Sequence, residues 1–384
     1  MKILYISSAN VVGGASLALL NIVRGVMAAG HEVMVACTNE RGAFPEMLTD
    51  AGCQVVRCSH RLTVYPSTKN VLEYLPRLIK MVLDNRKGRR QLKQVMLDFR
   101  PDIVHTNVGP MDVAFDVCQQ LGIKHVWHQR EYQDLDFGLH FFPSIRTFMR
   151  KSHSKGNYNI CITEGVFRHR NFRDGIDRVI YDGVFGRERA SACVLQPVKQ
   201  NYVLFAGRIE EAKGVLDLLR VFACFHEKYP EFQLKLAGRY KAESTYYQQC
   251  CEFVKRTGLS DVVEFLGECK DVYSLMAKAR MMVVPSRFEG FGFITAEAML
   301  NGCPVVGRDT AGTKEQMDKG LEYAHGEIAL RFSSDNEMLE AMEHVMTHST
   351  EAMCKRARET VLHLYTAEEH VRQVLDYYQW IAAQ

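Results

Sequence analysis

Four side chains and a run of glycines in the second half of the chain have the types and spacing to handle a phosphate-bearing sugar. Arg208 and Lys213 stand in the loop Gly207-Arg208-Ile209-Glu210-Glu211-Ala212-Lys213-Gly214. There the guanidinium can clamp phosphate with two donors, and the lysine brings a mobile point charge. Glu289 and Glu297 bracket Gly290-Phe291-Gly292-Phe293. Carboxylates repel phosphate, so this pair suits the hydroxyls of a sugar and a ribose. The apolar run Met281–Pro285 reads as a buried strand, a helix starts near Phe293 and stops at Asn301-Gly302, and Pro304-Val305-Val306 opens the next strand. A strand, a glycine loop and a helix N-terminus make an anion-binding corner, because unpaired N–H groups face whatever docks there. No Asp-x-Asp stands at a strand end to hold a metal. Two cations and a helix N-terminus could neutralise a leaving diphosphate without one. The plainer reading makes Arg208 and Lys213 ordinary surface charges.

The elements that must carry these residues repeat twice. Lys2–Ser7 is a strand, Asn10–Gly14 a loop, Ala15–Ala29 a helix and His31–Cys37 the next strand, a rhythm that implies a parallel α/β sheet. Gly13-Gly14 falls at the first strand-to-helix turn, where such sheets bind ligands, but it is not GxGxxG. Residues 60–96 read as mostly helical, with the basic cluster Arg86, Lys87, Arg89, Arg90 and Lys93 as a solvated face or a contact for a polyanionic or lipid-linked acceptor. His128 closes the strand Lys124–His128, at an end where ligands bind, and a neutral imidazole there could donate to a sugar hydroxyl. Phe141–Phe148 and the cations after it read as a basic amphipathic helix, on a membrane surface or packed on the sheet. Residues 185–200, with Pro197, read as a linker. From Tyr202 the architecture repeats, and a last apolar helix near Glu368–Ile381 could return to brace the first domain.

With 384 residues, the chain should form two domains. Its apolar content of 47% and charged content of 24% describe a folded soluble protein, and no apolar run is long enough for a membrane span. The start MKILYISSAN reads as a strand rather than a secretory signal. Twelve cysteines, mostly inside apolar runs (Cys37, Cys118, Cys161, Cys224, Cys303), suggest buried thiols in a reduced compartment. The net charge of +3 is uneven: residues 1–185 carry 24 Lys and Arg against 17 Asp and Glu, and the remainder 24 against 28. A basic first half could attract a phosphate-rich acceptor or an anionic membrane surface. Nothing resembles a nucleic-acid module.

On the 207–214 loop, the two glutamates Glu289 and Glu297 with seven residues between them, Gly13-Gly14, His128 and Glu264-Phe265-Leu266-Gly267, the chain resembles the retaining glycosyltransferases of the GT4 family. The resemblance spans nearly the whole chain and is most specific over 202–315. It implies a GT-B fold, two Rossmann-like domains facing each other across a cleft. The acceptor-binding domain would be 1–185, the nucleotide-sugar domain 186–365, and 366–384 a helix packing back on the first. It further implies that Arg208 and Lys213 hold the diphosphate, Glu297 the ribose and Glu289 the donor sugar beside the backbone of Gly290, Phe291, Gly292 and Phe293. Gly267, Glu268 and Cys269 would receive the base, Gly207, Gly13 and Gly14 would line the donor, and His128 would meet the sugar. The expected donor is a UDP- or GDP-sugar and the acceptor a sugar or lipid-linked hydroxyl in surface polysaccharide synthesis. No cofactor or metal is expected, and the location is cytoplasmic, with peripheral contact at the inner membrane face as an extension. The chain departs from the family at Ser16, where glutamate is frequent, and at Gly238-Arg239-Tyr240, where Gly-Asp-Gly is frequent. A nucleotide-sugar 2-epimerase, a phosphorylase and a non-catalytic nucleotide-sugar-binding module are the alternatives.

Overall fold

A computed structural model describes residues 1–10, 12–193, 195–196 and 198–384. Val11 of the expected first loop and Pro197 of the expected linker lie outside them. The chain divides into two units, Met1–Gly183 with Ala367–Gln384, and Val184–Thr366.

In the first unit seven parallel strands lie in the order Gln54–Arg57, Glu32–Cys37, Lys2–Ser7, Ile103–Thr106, Lys124–Gln129, Asn157–Cys161 and Arg178–Val179. The chain builds outward from Lys2–Ser7 to one edge and then returns to build the other side. Two short strands, Val64–Pro66 and Leu139–Phe141, pair antiparallel apart from this sheet. Ile3, Leu4, Tyr5 and Ile6 are fully buried in succession, as expected for a strand covered on both faces. On one face the helix Gly14–Ala28 packs against the C-terminal helix Ala367–Ala382. Gly25 allows this approach, since a Cβ there would sit 2.5 Å from Val371 Cγ1. The phenol of Tyr378 donates to Tyr5 Oη at 3.2 Å, a buried polar tie between that helix and the central strand.

The second unit has six parallel strands in the order Val263–Gly267, Gln233–Ala237, Gln200–Ala206, Ala279–Val284, Val305–Arg308 and Leu330–Phe332. The same reversal falls between Gln200–Ala206 and Ala279–Val284, and ligands bind at the carboxyl ends of the strands at such a point. Within this unit the two ends of the segment meet, with Phe185 bridging Thr366 and the Val184 N–H donating to the Tyr365 carbonyl at 2.9 Å.

Several sequence expectations need correction. The helix expected over 60–96 runs from Leu75 to Phe99, because Asn85 and Gln91 on it bind the backbone of Arg61 and Ser59 and hold 59–61 as a loop. The expected linker contains the helix Arg187–Ala192, and Lys199 Nζ donates to the carbonyls of Ala277 and Gly302, which anchors it in the second unit. Of the two readings of the basic helix the structure has the second, with Ile145–Ser152 packed on the sheet: Phe148 is buried with Phe115, Trp127 and Phe141, and Lys151 pairs with Asp112 and Asp116. Cys224 is exposed, whereas Cys37, Cys118, Cys161 and Cys303 are buried. Among the described residues, no helix is long and apolar enough to cross a membrane.

Candidate active site

Two loops leave the carboxyl ends of the strands flanking the reversal in the second unit. The first, 207–214, ends at Gly214 with φ +68°; a Cβ there would lie 2.3 Å from the Pro285 carbonyl oxygen, so glycine lets the loops touch. The Arg287 N–H then donates to the Ala212 carbonyl at 2.9 Å and joins them. This sets Lys213 Nζ 2.6 Å from Glu289 Oε1, with the two side chains 19% and 15% exposed. Arg208 points to water, half-exposed and 3.0 Å from Glu210, a partner weak enough to be exchanged for a ligand. Gly207 and Gly238 lie back to back: a Cβ on Gly238 would be 1.8 Å from the Gly207 carbonyl oxygen.

The glycine turn 289–292 is fixed from behind. The Glu289 carbonyl accepts the Gly312 N–H at 2.9 Å, and Gln316 Nε2 donates to the carbonyls of Phe291 and Gly292 at 2.7 and 2.9 Å. Gly292 adopts φ +92° and opens the helix Phe293–Leu300 with no side-chain cap. The Thr295 N–H is taken by the Gly292 carbonyl at 3.0 Å, and the helix start offers the positive end of its dipole to a ligand. One turn on, Glu297 accepts a hydrogen bond from the Tyr273 hydroxyl at 2.7 Å, and the Arg189 guanidinium lies 3.9 Å over the Tyr273 ring. Burial raises the Glu297 pKa, while the Tyr273 hydrogen bond and Arg189 oppose the rise. Gly267, with φ +67°, accepts the Gly238 N–H on its carbonyl at 2.7 Å; Glu268 pairs with Arg239 in the open, and Cys269 Sγ turns back to the Gly267 carbonyl.

In the first unit, Gly13 caps the helix Gly14–Ala28 and is exposed, as is Gly14. Ser16 Oγ accepts the Gly13 N–H at 2.8 Å and donates to its carbonyl at 2.9 Å, so the residue in place of glutamate serves the turn. His128 is wholly buried, which differs from an imidazole presented to a sugar. Its Nδ1 lies 3.3 Å from His105 Nε2 and 3.3 Å from Arg130, and Arg130 also grips the buried Asp182. His370, from the C-terminal helix, closes the cluster by accepting the Gly183 N–H at 2.9 Å. Burial first, then the Arg130 charge, pushes the His128 pKa well down, so the ring is neutral. His128, Asp182 and His370 have ligating atoms within 4.8 Å of one another. A cation placed there would share the carboxylate with the Arg130 guanidinium, whose charge opposes it.

The family profile for glycosyl transferases group 1 matches residues 187–360, and the profile for the glycosyl transferase 4-like domain matches 13–184. Together the profiles span most of the chain. It is a glycosyltransferase of the GT4 and group 1-like superfamily. This family member shares the GT-B fold with Anabaena HepE in complex with UDP (TM-score 0.78, 20% identity, 99% of this chain and all of that one). It shares it also with WaaG, a glycosyltransferase involved in lipopolysaccharide biosynthesis (TM-score 0.65, 17% identity, 97% and 99%). Among curated relatives, the lipopolysaccharide core mannosyltransferase LpsB of Rhizobium meliloti is 29% identical over 38% of this chain and 42% of its own length. LpcC of Rhizobium leguminosarum is 27% identical over 45% and 56%. The chain thus matches only 29% to 56% of the length of such relatives.

The second unit therefore brings Arg208, Lys213, Glu289 and Glu297 to one sheet end in this glycosyltransferase, while His128 lies in the first unit. Sequence reasoning missed Gln316, Tyr273 and Asp217. Asp217 lies 3.6 Å from Arg287 and 3.3 Å from Arg308, and Arg308 Nε donates to the Pro285 carbonyl at 3.0 Å, so one buried carboxylate braces the turn through two arginines. Only its place in the first turn of the helix Val215–Lys228, just after the 207–214 loop, hinted at such a role.

Proposed function

We propose that the chain is a retaining glycosyltransferase that moves a sugar from a nucleoside diphosphate to a hydroxyl acceptor in polysaccharide or glycoconjugate synthesis. The Lys213–Glu289 pair at the mouth of the uncapped helix Phe293–Leu300 carries this reading. A cation, a carboxylate and a helix N-terminus converge where phosphate and sugar of one donor would lie side by side. On donor binding Lys213 exchanges Glu289 for phosphate, Arg208 swings from Glu210 to the diphosphate, and Glu289 is released to a sugar hydroxyl. Glu297 takes the ribose hydroxyls, and the backbone of 267–269 the base.

In the reaction the anomeric C–O bond breaks and its electron pair goes to the diphosphate. The acceptor oxygen bonds to the anomeric carbon on the same face, and its proton passes to the departing phosphate. Charge that grows on the diphosphate in the transition state is what Arg208, Lys213 and the helix dipole stabilise. Glu289 positions and forms no covalent bond. His128, fully buried, is given no step; with Arg130 and Asp182 it shapes the strand end. Names of relatives in lipopolysaccharide core synthesis support a surface-polysaccharide role. Membrane contact has support in the helix Leu75–Phe99, which exposes Leu75, Ile79, Val82 and Leu83 beside Lys80, Arg86, Lys87 and Arg90. A screen of UDP-, GDP-, ADP- and CMP-sugars by thermal shift and slow nucleotide release tests the reading. Stabilisation by one nucleotide and hydrolysis of only one of its sugars supports it; no response to any nucleotide, with or without acceptor, overturns it.

A further inference from the structure

A second ligand-sized space lies wholly within the first unit. It is a cavity of about 910 Å³ at the carboxyl ends of the strands Lys2–Ser7, Glu32–Cys37 and Gln54–Arg57. Its walls carry five basic side chains, Arg57, Arg61, Arg77, Lys80 and Lys87, against the single carboxylate of Asp84. Asp84 is occupied by Arg61, 2.5 Å away. Arg57, Arg77, Lys80 and Lys87 are left in the walls without an acidic partner among the described residues. Like charges gathered around one cavity repel one another, and an anion that enters relieves the repulsion.

The cavity is built rather than incidental. Its floor, the loop 59–61, is fixed by three features of the helix Leu75–Phe99. Gln91 Oε1 accepts the Ser59 N–H at 2.8 Å, Asn85 Oδ1 accepts the Arg61 N–H at 2.7 Å, and Gly88 passes so close that a Cβ there would lie 1.7 Å from the Ser59 carbonyl oxygen. Between the pinned residues, His60 is 3% exposed and lines the cavity. Its Nε2 donates to the Ser7 carbonyl at 2.9 Å, which ties the floor of the cavity to the end of the central strand. Part of the lining is neutral: Asn10 Oδ1 accepts from Thr38 at 3.1 Å and from Asn39 at 3.2 Å, a group of amides and a hydroxyl suited to sugar hydroxyls.

We infer that this cavity is the acceptor site and that the acceptor is a phosphorylated sugar, its phosphate held by Arg57, Arg77 and Lys80 and its hydroxyls received by Asn10, Thr38 and Asn39. The inference rests on the glycosyltransferase reading for the word acceptor; the site itself rests on the cavity. The phosphate can come from a free sugar phosphate or from the headgroup of a polyisoprenyl phosphate.

The test is calorimetric titration with inorganic pyrophosphate, with glucose 1-phosphate, and with a polyisoprenyl phosphate carried in phosphatidylcholine vesicles. Each is run on the wild type, on Arg57→Gln/Arg77→Gln and on Arg208→Ala/Lys213→Ala, with unphosphorylated glucose as control. Both cavity arginines are exposed, so their replacement should leave melting unchanged. Phosphate binding should persist in Arg208→Ala/Lys213→Ala and weaken at least about tenfold in Arg57→Gln/Arg77→Gln, with glucose far weaker than its phosphate. Binding of glucose 1-phosphate assigns a free acceptor, and binding of the vesicle-borne phosphate alone assigns a lipid-linked one. Phosphate binding that vanishes in Arg208→Ala/Lys213→Ala, is unchanged in Arg57→Gln/Arg77→Gln, or is absent from every arm overturns the inference. Nucleoside diphosphate binding by the same proteins separates the two readings. Its loss only in Arg208→Ala/Lys213→Ala keeps the donor site whatever happens to the cavity, and its survival there rejects the donor site alone.

Discussion

Replacing Glu289 by glutamine should have opposite effects on two ligands. In the free protein Glu289 holds Lys213 at 2.6 Å, and both side chains are mostly shielded from water. A charge-assisted bond of this kind contributes about 1.5–3 kcal/mol when fully buried; partial solvent access reduces that to about 1–2 kcal/mol. A diphosphate must break this bond and accept a carboxylate as neighbour. Glu289→Gln removes both costs, so a nucleoside diphosphate without its sugar should bind about 5–30-fold more tightly. The intact nucleotide-sugar loses the carboxylate that orients its hydroxyls, so turnover should fall. Calorimetry with the nucleoside diphosphate and steady-state transfer with the full donor measure the two effects. Weaker binding of the nucleoside diphosphate would refute the exchange of partners. Full turnover with an unaltered donor KM would refute the positioning role.

Three further outcomes follow from the geometry. If Glu297 binds the ribose hydroxyls, its ionised form is the stronger acceptor; burial raises its pKa, so nucleotide affinity should fall with acidification sooner than for an exposed carboxylate, and Tyr273→Phe removes a hydrogen bond that holds the pKa down and should move the loss to higher pH. His125 and His370 are buried, with pKa values lowered to about 4, so the unfolded chain takes up protons that the folded chain refuses. Stability should be full above about pH 6.5 and fall as the pH drops toward 4, by on the order of 3 kcal/mol for each imidazole, and His370→Gln should flatten the profile in denaturant titrations. Gln316→Met removes the donor to two turn carbonyls and should lower stability by about 2–3 kcal/mol and raise donor KM, read by melting and kinetics; an unchanged KM would remove Gln316 from the positioning of the turn.

Sequence period and punctuation made the second unit legible. An apolar run, glycines and a helical stretch specify strand, turn and helix locally, and the structure has them at Ala279–Val284, 285–292 and Phe293–Leu300. What pins these elements was not legible, because it depends on contacts between distant residues. Gln316 supports a turn more than twenty residues earlier, and His370 meets Asp182 from the far end of the chain. The same reason accounts for the overlong helix at 60–96. Nothing in the pattern of 60–74 says that Asn85, Gly88 and Gln91 will hold the preceding loop in place. His128 shows the limit of reading a strand end as a ligand contact: its neighbours in space, His105, Arg130 and His370, enclose it.

Whether the second unit stabilises a departing diphosphate can be read from single-turnover cleavage of the nucleotide-sugar. In Arg208→Ala, cleavage should slow by about 100-fold or more while donor affinity changes much less, because the charge it meets grows in the transition state. Equal losses in affinity and rate, or cleavage as fast as in the wild type, would mean that Arg208 does not act on the transition state.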